Sequence, residues 1–498
     1  MIKPKYINHG SEGYFAEMAE ETTIERFGRR LSENVERWMP DPLIFALILS
    51  LITMFMALSI TQFRTGVVGT IETLVMGWYR GFWELLTFAM QMVLILVTGY
   101  VIAHHPVVYK GLSKLASIPK NTKQAAVLVA AVSMAFSWIN WGLGLIIGAV
   151  LARIVGVEFY KQGKPLHYPV VVTAGYSGLG LTWHWGLSAS APLLSNTPGH
   201  VFEKLMGDLF GKGLVPLNET IFHPYTIMNF LLIYFYALII FWLLAPKDEK
   251  LMKGIDKVAP QVLELEISGG SEKKVGVNEA RRTIADVLEN SKVLAAAIVV
   301  IFFVTMVYWF GNRGFFAGLD LNSVNYLFIL IGLALYLNPI AYMRAIARAA
   351  GATAGIIIQF PFYGGIMGLM RYVVSPDGQN LATILANTLA AYANSFSWPV
   401  ICFLLSGFIN IFVPSGGGQW IATGEILLRA ASTLEVPVGK TIIAYAAGDM
   451  WTNLFTPFWA IPLLGITGTR ARDVFGYCIA VLLLVTIPFV IGLTILPY

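Results

Sequence analysis

The sequence contains few charged residues and few cysteines. Asp, Glu, Lys and Arg make up 13% of its 498 residues, whereas a typical soluble protein has about 25%. Its two cysteines, Cys402 and Cys478, lie far apart inside apolar stretches. A fold held together by disulfides and a cysteine-bound metal site are therefore not expected.

Several functional motifs are also missing. The sequence has no G-x-x-x-x-G-K-S/T loop, so direct drive by ATP is not expected. It has no H-E-x-x-H motif or Cys/His cluster of a metalloenzyme, and no Arg-rich apolar helix of a voltage sensor. The net charge of +5 lies in loops and does not form a nucleic-acid surface. We expect no cofactor beyond a coupling proton or sodium ion.

Apolar residues, in contrast, are abundant. They make up 56% of the chain, and the mean hydropathy is +0.68. No soluble fold hides that much apolar surface, so lipid must cover part of it. Residues 1–42 are charged and predict a cytoplasmic segment without a cleaved signal peptide. Within it, 22–38 fits an amphipathic helix on the membrane surface and a solvated helix equally well.

The apolar residues fall into stretches of two kinds. A bilayer core of about 30 Å needs about 20 apolar residues per helix. Seven stretches are simple candidates: 43–62, 81–103, 222–244, 292–311, 323–340, 350–371 and 474–497. Four others are interrupted by Gly and Pro: 124–153, 168–197, 397–424 and 436–466. We predict an all-α polytopic membrane protein with about nine spanning helices, two re-entrant hairpins (124–153 and 397–424) and two broken helices (168–197 and 436–466).

Loop charges indicate which interrupted stretches are hairpins. Residues 104–123 carry four lysines and no acid, and the loop after 153 is also basic. Both ends of 124–153 are therefore expected in the cytoplasm. A segment with both ends on one side enters and turns back, and its irregular backbone must be enclosed by protein or water.

The two halves of the chain resemble each other. Residues 139–144 align with 413–418, and 173–199 align without a gap with 443–469. We therefore predict a first repeat at 43–244, a cytoplasmic linker at 245–291, a linking helix at 292–311 and a second repeat at 323–498. Because the linking helix crosses the membrane once, the second repeat starts on the opposite face. Inverted repeats are typical of secondary carriers, which bind their solute near the midplane.

The interrupted segments supply the candidate site. Broken helices expose N–H groups and a positive dipole end to an anion, without a fixed charge in the membrane. The first hairpin contributes Asn140, Trp141 and Gly142, and the second contributes Ser415, Gly416, Gly417 and Gly418. The broken helices add Ser177, Thr182, Thr452 and Asn453. Alternatively, 414–420 is a tight turn without a ligand, and Asn140 bonds only its own turn.

Asp449 is the most informative single residue. It is an acid deep in an apolar segment, and such residues are functional candidates by default. With Gly178 and Gly448 it predicts a site for a coupling cation or proton, although it could instead cap the broken helix. For His184, a hydrogen-bonded structural histidine is the favoured interpretation. Gln91 and Gln359 are expected to form interhelical hydrogen bonds.

The chain resembles the short-chain fatty acid transporter family of bacterial inner-membrane proteins. The similar segments cover nearly the whole chain: RWMPDPLIFA at 37–46, INWG at 139–142, PIAYMRA at 339–345, QFPFY at 359–363, VPSGGG at 413–418 and PFWA at 457–460. The resemblance implies uptake of short-chain fatty acids such as acetoacetate or butyrate. It also implies membership of the ion transporter superfamily, whose members use paired hairpins, a moving transport domain and often a dimeric scaffold.

Three functions therefore compete. The favoured one is a cation-coupled carboxylate symporter that works by alternating access. The second is an uncoupled channel or facilitator for the same anions. The third, a membrane enzyme, would need an acid–base or nucleophile constellation that the sequence does not supply.

Overall fold

The structure is a computed structural model that describes residues 42–63, 66–246, 249–267, 283–412, 414–456 and 458–498. Within these ranges the chain is helical, and a single isolated bridge pairs Val374 with Asn380. This confirms the predicted all-α class. Outside the described residues lie 1–41, 64–65, 247–248, 268–282, Val413 and Pro457. These include nearly all of the predicted N-terminal segment and part of the predicted linker.

The first group of helices covers the predicted first repeat and linker. They are α1 Pro42–Thr61, α2 Gly66–Trp83, α3 Leu86–Ala103, α4 Pro106–Ala116, α5 Thr122–Ile139, α6 Trp141–Lys161, α7 Tyr168–Leu181, α8 Ser190–Ser195, α9 Glu203–Phe210, α10 Pro224–Leu244, α11 Ile255–Val258, α12 Pro260–Ile267 and α13 Ile284–Glu289.

The second part contains the linking helix and the second repeat. Its helices are α14 Lys292–Arg313, α15 Phe315–Gly318, α16 Leu321–Tyr336, α17 Pro339–Ala350, α18 Ala354–Tyr372, α19 Leu381–Ala391, α20 Trp398–Phe412, α21 Gly416–Thr433, α22 Val438–Thr452, α23 Ile461–Thr467 and α24 Ala471–Ile495.

Six stretches of the described residues are long and apolar enough to cross a membrane, or seven if the bent pair α17–α18 counts as one. Four shorter apolar helices, in α1, α16, α19 and α20, accompany them. The total of about nine spanning helices stays a prediction. One boundary was wrong: the stretch predicted to begin at 81 is α3, which begins at Leu86, and a separate helix α2 precedes it. The apolar pattern of α2 is interrupted by Thr70, Glu72 and Arg80, and for this reason the sequence pattern did not predict the helix.

α5 and α6 form an antiparallel hairpin that turns at Asn140. The backbone of Asn140 is extended, and its side-chain Oδ1 accepts from the N–H of Leu143 at 2.9 Å, which caps α6. Gly144 lies so close to Ser137 that an added Cβ would come within 2.0 Å of its Oγ. The break and the antiparallel pairing agree with the hairpin predicted at 124–153. Each arm is also long enough to span, so its re-entrant placement stays a prediction.

The second hairpin, α20 and α21, repeats this design. Ser415 has an extended backbone, and its Oγ accepts from the N–H of Gly418 at 3.3 Å. Across the hairpin, Gln419 Nε2 donates to the carbonyl of Ser406 at 2.8 Å. Both hairpins therefore have a second arm whose first residue follows an extended, side-chain-capping residue.

Hydrogen bonds between each hairpin and its broken helix are also duplicated. Ser133 Oγ donates to the carbonyl of Gly175 at 2.7 Å, and Ser406 Oγ donates to that of Tyr445 at 2.9 Å. Thr182 Oγ1 donates to Met134 O, and Thr452 Oγ1 donates to Gly407 O, both at 2.9 Å. In both pairs the broken-helix residues are 270 positions apart, as in the sequence alignment, and the hairpin residues are 273 apart. This regular spacing supports the internal repeat at the level of single atoms.

The two broken helices cross in opposite directions. α7 ends at Leu181 and α22 at Thr452, and irregular segments follow both before α8 and α23. Tyr176 OH donates to Asn453 O at 3.0 Å, whereas Trp185 Nε1 donates to Ile443 O at 3.1 Å. Contacts that advance along one segment thus recede along the other. The repeats are inverted at this crossing, and their two breaks meet.

Gly448→Ala is expected to destabilise the second repeat. An added Cβ at Gly448 would lie 2.0 Å from the carbonyl oxygen of Phe403 and 2.1 Å from Ser406 Oγ. Because backbone atoms cannot move aside, α20 and α22 must separate, at a cost of about 1–3 kcal/mol. The measurement is the thermal unfolding midpoint of the purified protein in detergent. Gly465→Ala, with open space around its Cβ position, is the control, and equal midpoints for both variants would contradict the close approach.

Part of the predicted linker packs against the helices of the repeats. The N–H of Tyr168 donates to Lys253 O at 2.9 Å, and the N–H of Lys253 donates to His167 Nδ1 at 3.2 Å. Ile255 and Ala259 are buried, the first against Gly156 and the second against Gly468. Residues 249–267 therefore bridge α6 and α7 of one repeat and the end of α23 of the other. The sequence had assigned this segment no role.

Candidate functional site

A pocket lies where the two breaks and the two hairpin turns meet. The space between its walls is about 380 Å³ when the open solvent at its mouth is included. Its walls come from both hairpins, both broken helices and two further helices. The lining residues are Met92, Trp141, Leu179, Trp183, Ser190, Ile356, Ser415, Gly416, Gly417, Asn453 and Trp459.

One end of the pocket is polar because α21 begins there. Ser415 caps the helix, and the residues that follow, Gly416 and Gly417, line the pocket. Helix geometry leaves the first N–H groups of a helix without an intrahelical acceptor. A glycine backbone also allows close approach of a ligand. With Ser190 and Asn453 nearby, this end offers hydrogen-bond donors and a positive dipole end to an anion.

The rest of the wall is apolar and aromatic. The ring of Trp141 contacts Trp183, with 6.3 Å between centroids, and Trp459, at 5.1 Å. Trp459 Nε1 donates to the carbonyl of Pro414 at 2.7 Å, which fixes that ring against the second hairpin turn. Met92 on α3 and Ile356 on α18 complete the wall from outside the hairpins. A short alkyl tail would be enclosed by these side chains.

A fully buried pair of side chains lies beside the polar end. His184 Nδ1 and Asp449 Oδ2 are 2.6 Å apart, and both side chains are 0% exposed. An added Cβ on Gly416 would lie 2.9 Å from Asp449 Oδ2 and 2.7 Å from His184 Cε1. The pair therefore borders the first residue of α21, and it joins the two broken helices across the repeat interface.

The structure brings some predicted site residues together in the pocket. Trp141, Ser415, Gly416, Gly417 and Asn453 all line it, and Asp449 lies behind Gly416. Trp141 and Ser415, one from each hairpin, thus share one cavity. The turns of the two hairpins are therefore neighbours in the structure.

Other predicted residues support the surrounding helices. Asn140 caps α6 and donates to Ile95 O at 3.3 Å. Thr182 and Thr452 bind the hairpin arms as described above. Gly178 and Gly448 are points of close packing, since an added Cβ on Gly178 would lie 2.2 Å from Ser137 Oγ.

The three remaining predicted residues also face protein. Ser177 Oγ donates to Ala174 O at 2.7 Å. Gly142 lies against Leu96, and Gly418 against the ring of Tyr363. Among the described residues, these contacts give each of them a structural explanation without a ligand.

Several lining residues were missed by sequence reasoning. Met92, Leu179, Ser190 and Ile356 sit in ordinary apolar segments and carry no motif. Trp183 and Trp459 were noted only as aromatics near the breaks. His184 was assigned a structural role, and its partner Asp449 could not be paired with it from the sequence. Of the two glutamines, Gln91 does bond between helices, to Asn322 Oδ1 at 2.8 Å, whereas Gln359 accepts from Tyr363 on its own helix.

Comparison with solved structures shows the fold. The chain is similar to MtrF of Neisseria gonorrhoeae, described as one of a class of antimetabolite efflux pumps, with a TM-score of 0.54, 15% identity, and coverage of 94% of this chain and 98% of that one. It is also similar to the YdaH transporter of Alcanivorax borkumensis, with a TM-score of 0.50, 15% identity, and coverage of 92% and 97%.

Comparison of sequences shows the family. A protein of Escherichia coli (strain K12) is 36% identical over 95% of this chain and 100% of its own length. One from Haemophilus influenzae (strain ATCC 51907 / DSM 11121 / KW20 / Rd) is 36% identical over 94% and 99%. Both are named for short-chain fatty acid transport. The short chain fatty acid transporter family profile matches residues 23–496. The chain therefore belongs to the short chain fatty acid transporter family, whose members are multi-pass membrane transporters and not enzymes.

Proposed function

We propose that this chain takes up short-chain fatty acids, or similar small monocarboxylates, across the bacterial inner membrane by cation-coupled symport. The observation that carries the proposal is the pocket at the meeting point of the two breaks. In this pocket Gly416 and Gly417, at the start of α21, lie beside an apolar wall. The N–H groups of the helix start suit a carboxylate, and the apolar wall suits a short alkyl tail.

Coupling is assigned to Asp449, which borders the pocket through Gly416. A buried carboxyl can accept a cation or a proton, and its charge then changes where the solute binds. Alternating access follows from the inverted repeats, whose hairpins enclose the pocket on two sides. On this proposal the two hairpins are re-entrant, and the protein forms a homodimer.

Uptake of labelled acetoacetate into proteoliposomes tests the proposal. Under an inward proton or sodium gradient, we expect accumulation above equilibrium. We also expect butyrate to compete better than octanoate, because the pocket is small. Empty liposomes give the background. Absence of uptake above that background under every gradient would refute the proposal. Equilibration without accumulation would instead support an uncoupled facilitator.

A further inference from the structure

The His184–Asp449 pair has a defined hydrogen-bond direction. The backbone N–H of Ala191 donates to His184 Nε2 at 3.3 Å, so Nε2 is an acceptor and carries no hydrogen. The ring hydrogen is then on Nδ1, which donates to Asp449 Oδ2 at 2.6 Å. The indole of Trp183 stacks on the imidazole, with centroids 4.2 Å apart and an interplanar angle of 13°. Ring orientation and tautomer are therefore both fixed.

One atom of the pair is left over. Asp449 Oδ1 is buried and accepts no hydrogen bond from any described residue. Both imidazole nitrogens and Oδ2 are occupied. An unsatisfied buried carboxylate oxygen is costly unless something binds it at some stage of the cycle. Oδ1 is therefore the place where the pair can take up a positive charge.

The surroundings of Oδ1 suit a proton better than a metal cation. A hard cation binds through several oxygen ligands. The carboxyl instead binds His184 through Oδ2, and the Cβ position of Gly416, which also contacts Trp183, lies 2.9 Å from the same oxygen. The hydroxyl of Tyr445 is already donated to Gly416 O at 2.7 Å. No three His, Cys, Asp or Glu side chains cluster in the described part of the chain. A proton needs only one lone pair.

We propose that the coupling ion is a proton bound at Asp449 Oδ1, and that His184 is the positioning residue that sets the proton affinity of this carboxyl. The inference rests on the proposed function and names its coupling ion. Uptake forms an O–H bond at Oδ1 and turns the carboxylate into a neutral carboxyl. Release into the cytoplasm breaks the same bond. One proton and one monocarboxylate cross together, with no change in redox state.

The position of the pair explains how the proton and the solute are coupled. An ionised Asp449 lies directly behind Gly416 and repels a carboxylate bound at the start of α21. Protonation removes this repulsion, so the proton-loaded site binds the anion more tightly. The anion in turn favours the protonated carboxyl, because coupling between two ligands is reciprocal.

Few other ionisable groups face the pair. On α22 the phenol of Tyr445 lies one turn from Asp449, and its ring is 5.8 Å from that of His184. The neighbouring turn, α8 and α21 contribute Trp183, Ala191 and Gly416, which do not titrate. If substitution of His184 shifts the pH dependence of uptake, the shift can therefore be attributed to this pair.

Two variants of His184 separate a positioning role from a purely structural one. His184→Asn keeps an N–H near the place of Nδ1–H, whereas His184→Leu fills the space and removes the donor. The donor stabilises the charged carboxylate, so without it the protonated form persists to higher pH. We expect the pH at which acetoacetate uptake falls to half to rise by about one to two units in His184→Leu. His184→Asn should keep the wild-type half-point.

The outcomes are distinguishable from failure of the proposed function. Absence of uptake in the wild-type protein would defeat the proposed function itself. Uptake driven by a sodium gradient and indifferent to a pH gradient would overturn the proton inference alone, as would equal half-points in His184→Leu and wild type. If either variant fails to fold, the proton inference is tested on the wild-type protein alone. Proton entry into its vesicles is then followed with a trapped pH dye during acetoacetate uptake. One proton per solute is expected, and none would refute the inference.

Discussion

Replacement of Asp449 by Asn is expected to abolish accumulation of acetoacetate while leaving the protein folded. Asn has the same shape and still accepts the hydrogen bond from His184 Nδ1, which is 2.6 Å from Oδ2 in the wild-type pair. It cannot bind a proton. Each pH unit of gradient is worth about 1.4 kcal/mol per proton, so wild type can accumulate about tenfold per unit. Asp449→Asn should do no better than equilibrate.

The measurement is the ratio of internal to external labelled acetoacetate in proteoliposomes with an imposed pH gradient. Asp377→Asn, an exposed acid between α18 and α19, is the matched control and should accumulate solute like wild type. Counterflow of solute without a gradient should survive in Asp449→Asn, since the N–H groups of α21 are unchanged. If the variant still accumulates acetoacetate tenfold, Asp449 does not carry the coupling ion.

Gly416→Ala should block transport without preventing the helix from forming. Ala is the better helix former, so α21 loses nothing in intrinsic propensity. The added Cβ, however, would lie 2.6 Å from Trp183 Cη2, 2.7 Å from His184 Cε1 and 2.9 Å from Asp449 Oδ2. Displacing these packed groups costs about 1–3 kcal/mol. This cost lowers the stability of the free protein. The added Cβ also takes up space at the start of α21, where the proposed solute would bind, so we expect a roughly tenfold or greater loss of affinity for it.

Binding of acetoacetate to the purified protein and its initial uptake rate both test this expectation. Gly111→Ala, at a helical glycine with open space at its Cβ position, is the control and should match wild type. The thermal unfolding midpoint of Gly416→Ala should fall by less than that of Gly448→Ala, because the Cβ at 416 meets side chains and the Cβ at 448 meets backbone. Undiminished binding and uptake would show that the solute does not occupy the start of α21.

The sequence predicted the interrupted elements because their signals are local. An Asn or Ser before a helix start, together with glycines and prolines, marks a cap and a break in any context. The caps at Asn140 and Ser415 and the ends of α7 and α22 are seen where these signals stand. Apolar length similarly predicted α10, α14 and α24. Helix α2 was missed because polar residues on its length weakened the apolar pattern.

Pairings over long sequence distances were not predictable in the same way. Met92 and Ile356 reach the pocket through the packing of α3 and α18, which no local pattern encodes. The bond from His184 to Asp449 also joins residues from different repeats. Sequence reasoning could name each partner as polar and buried. Only the crossing of α7 and α22 shows that they face each other.

The hydrogen bonds within and between the repeats have a mechanical consequence. The bonds from Ser133, Ser406 and Tyr176 join both hairpins and both broken helices into one stiff unit that carries the polar end of the pocket. Ile356 belongs to α18, which lies outside that unit, whereas Met92 belongs to α3, which Asn140 of the first hairpin binds at Ile95 O. On the proposed function, any displacement of the unit against α18 would change the surface around the alkyl tail, while the carboxylate would keep its donors. Preference for tail length would then differ between the two faces of the membrane, whereas the preference for an anionic head group would be the same on both.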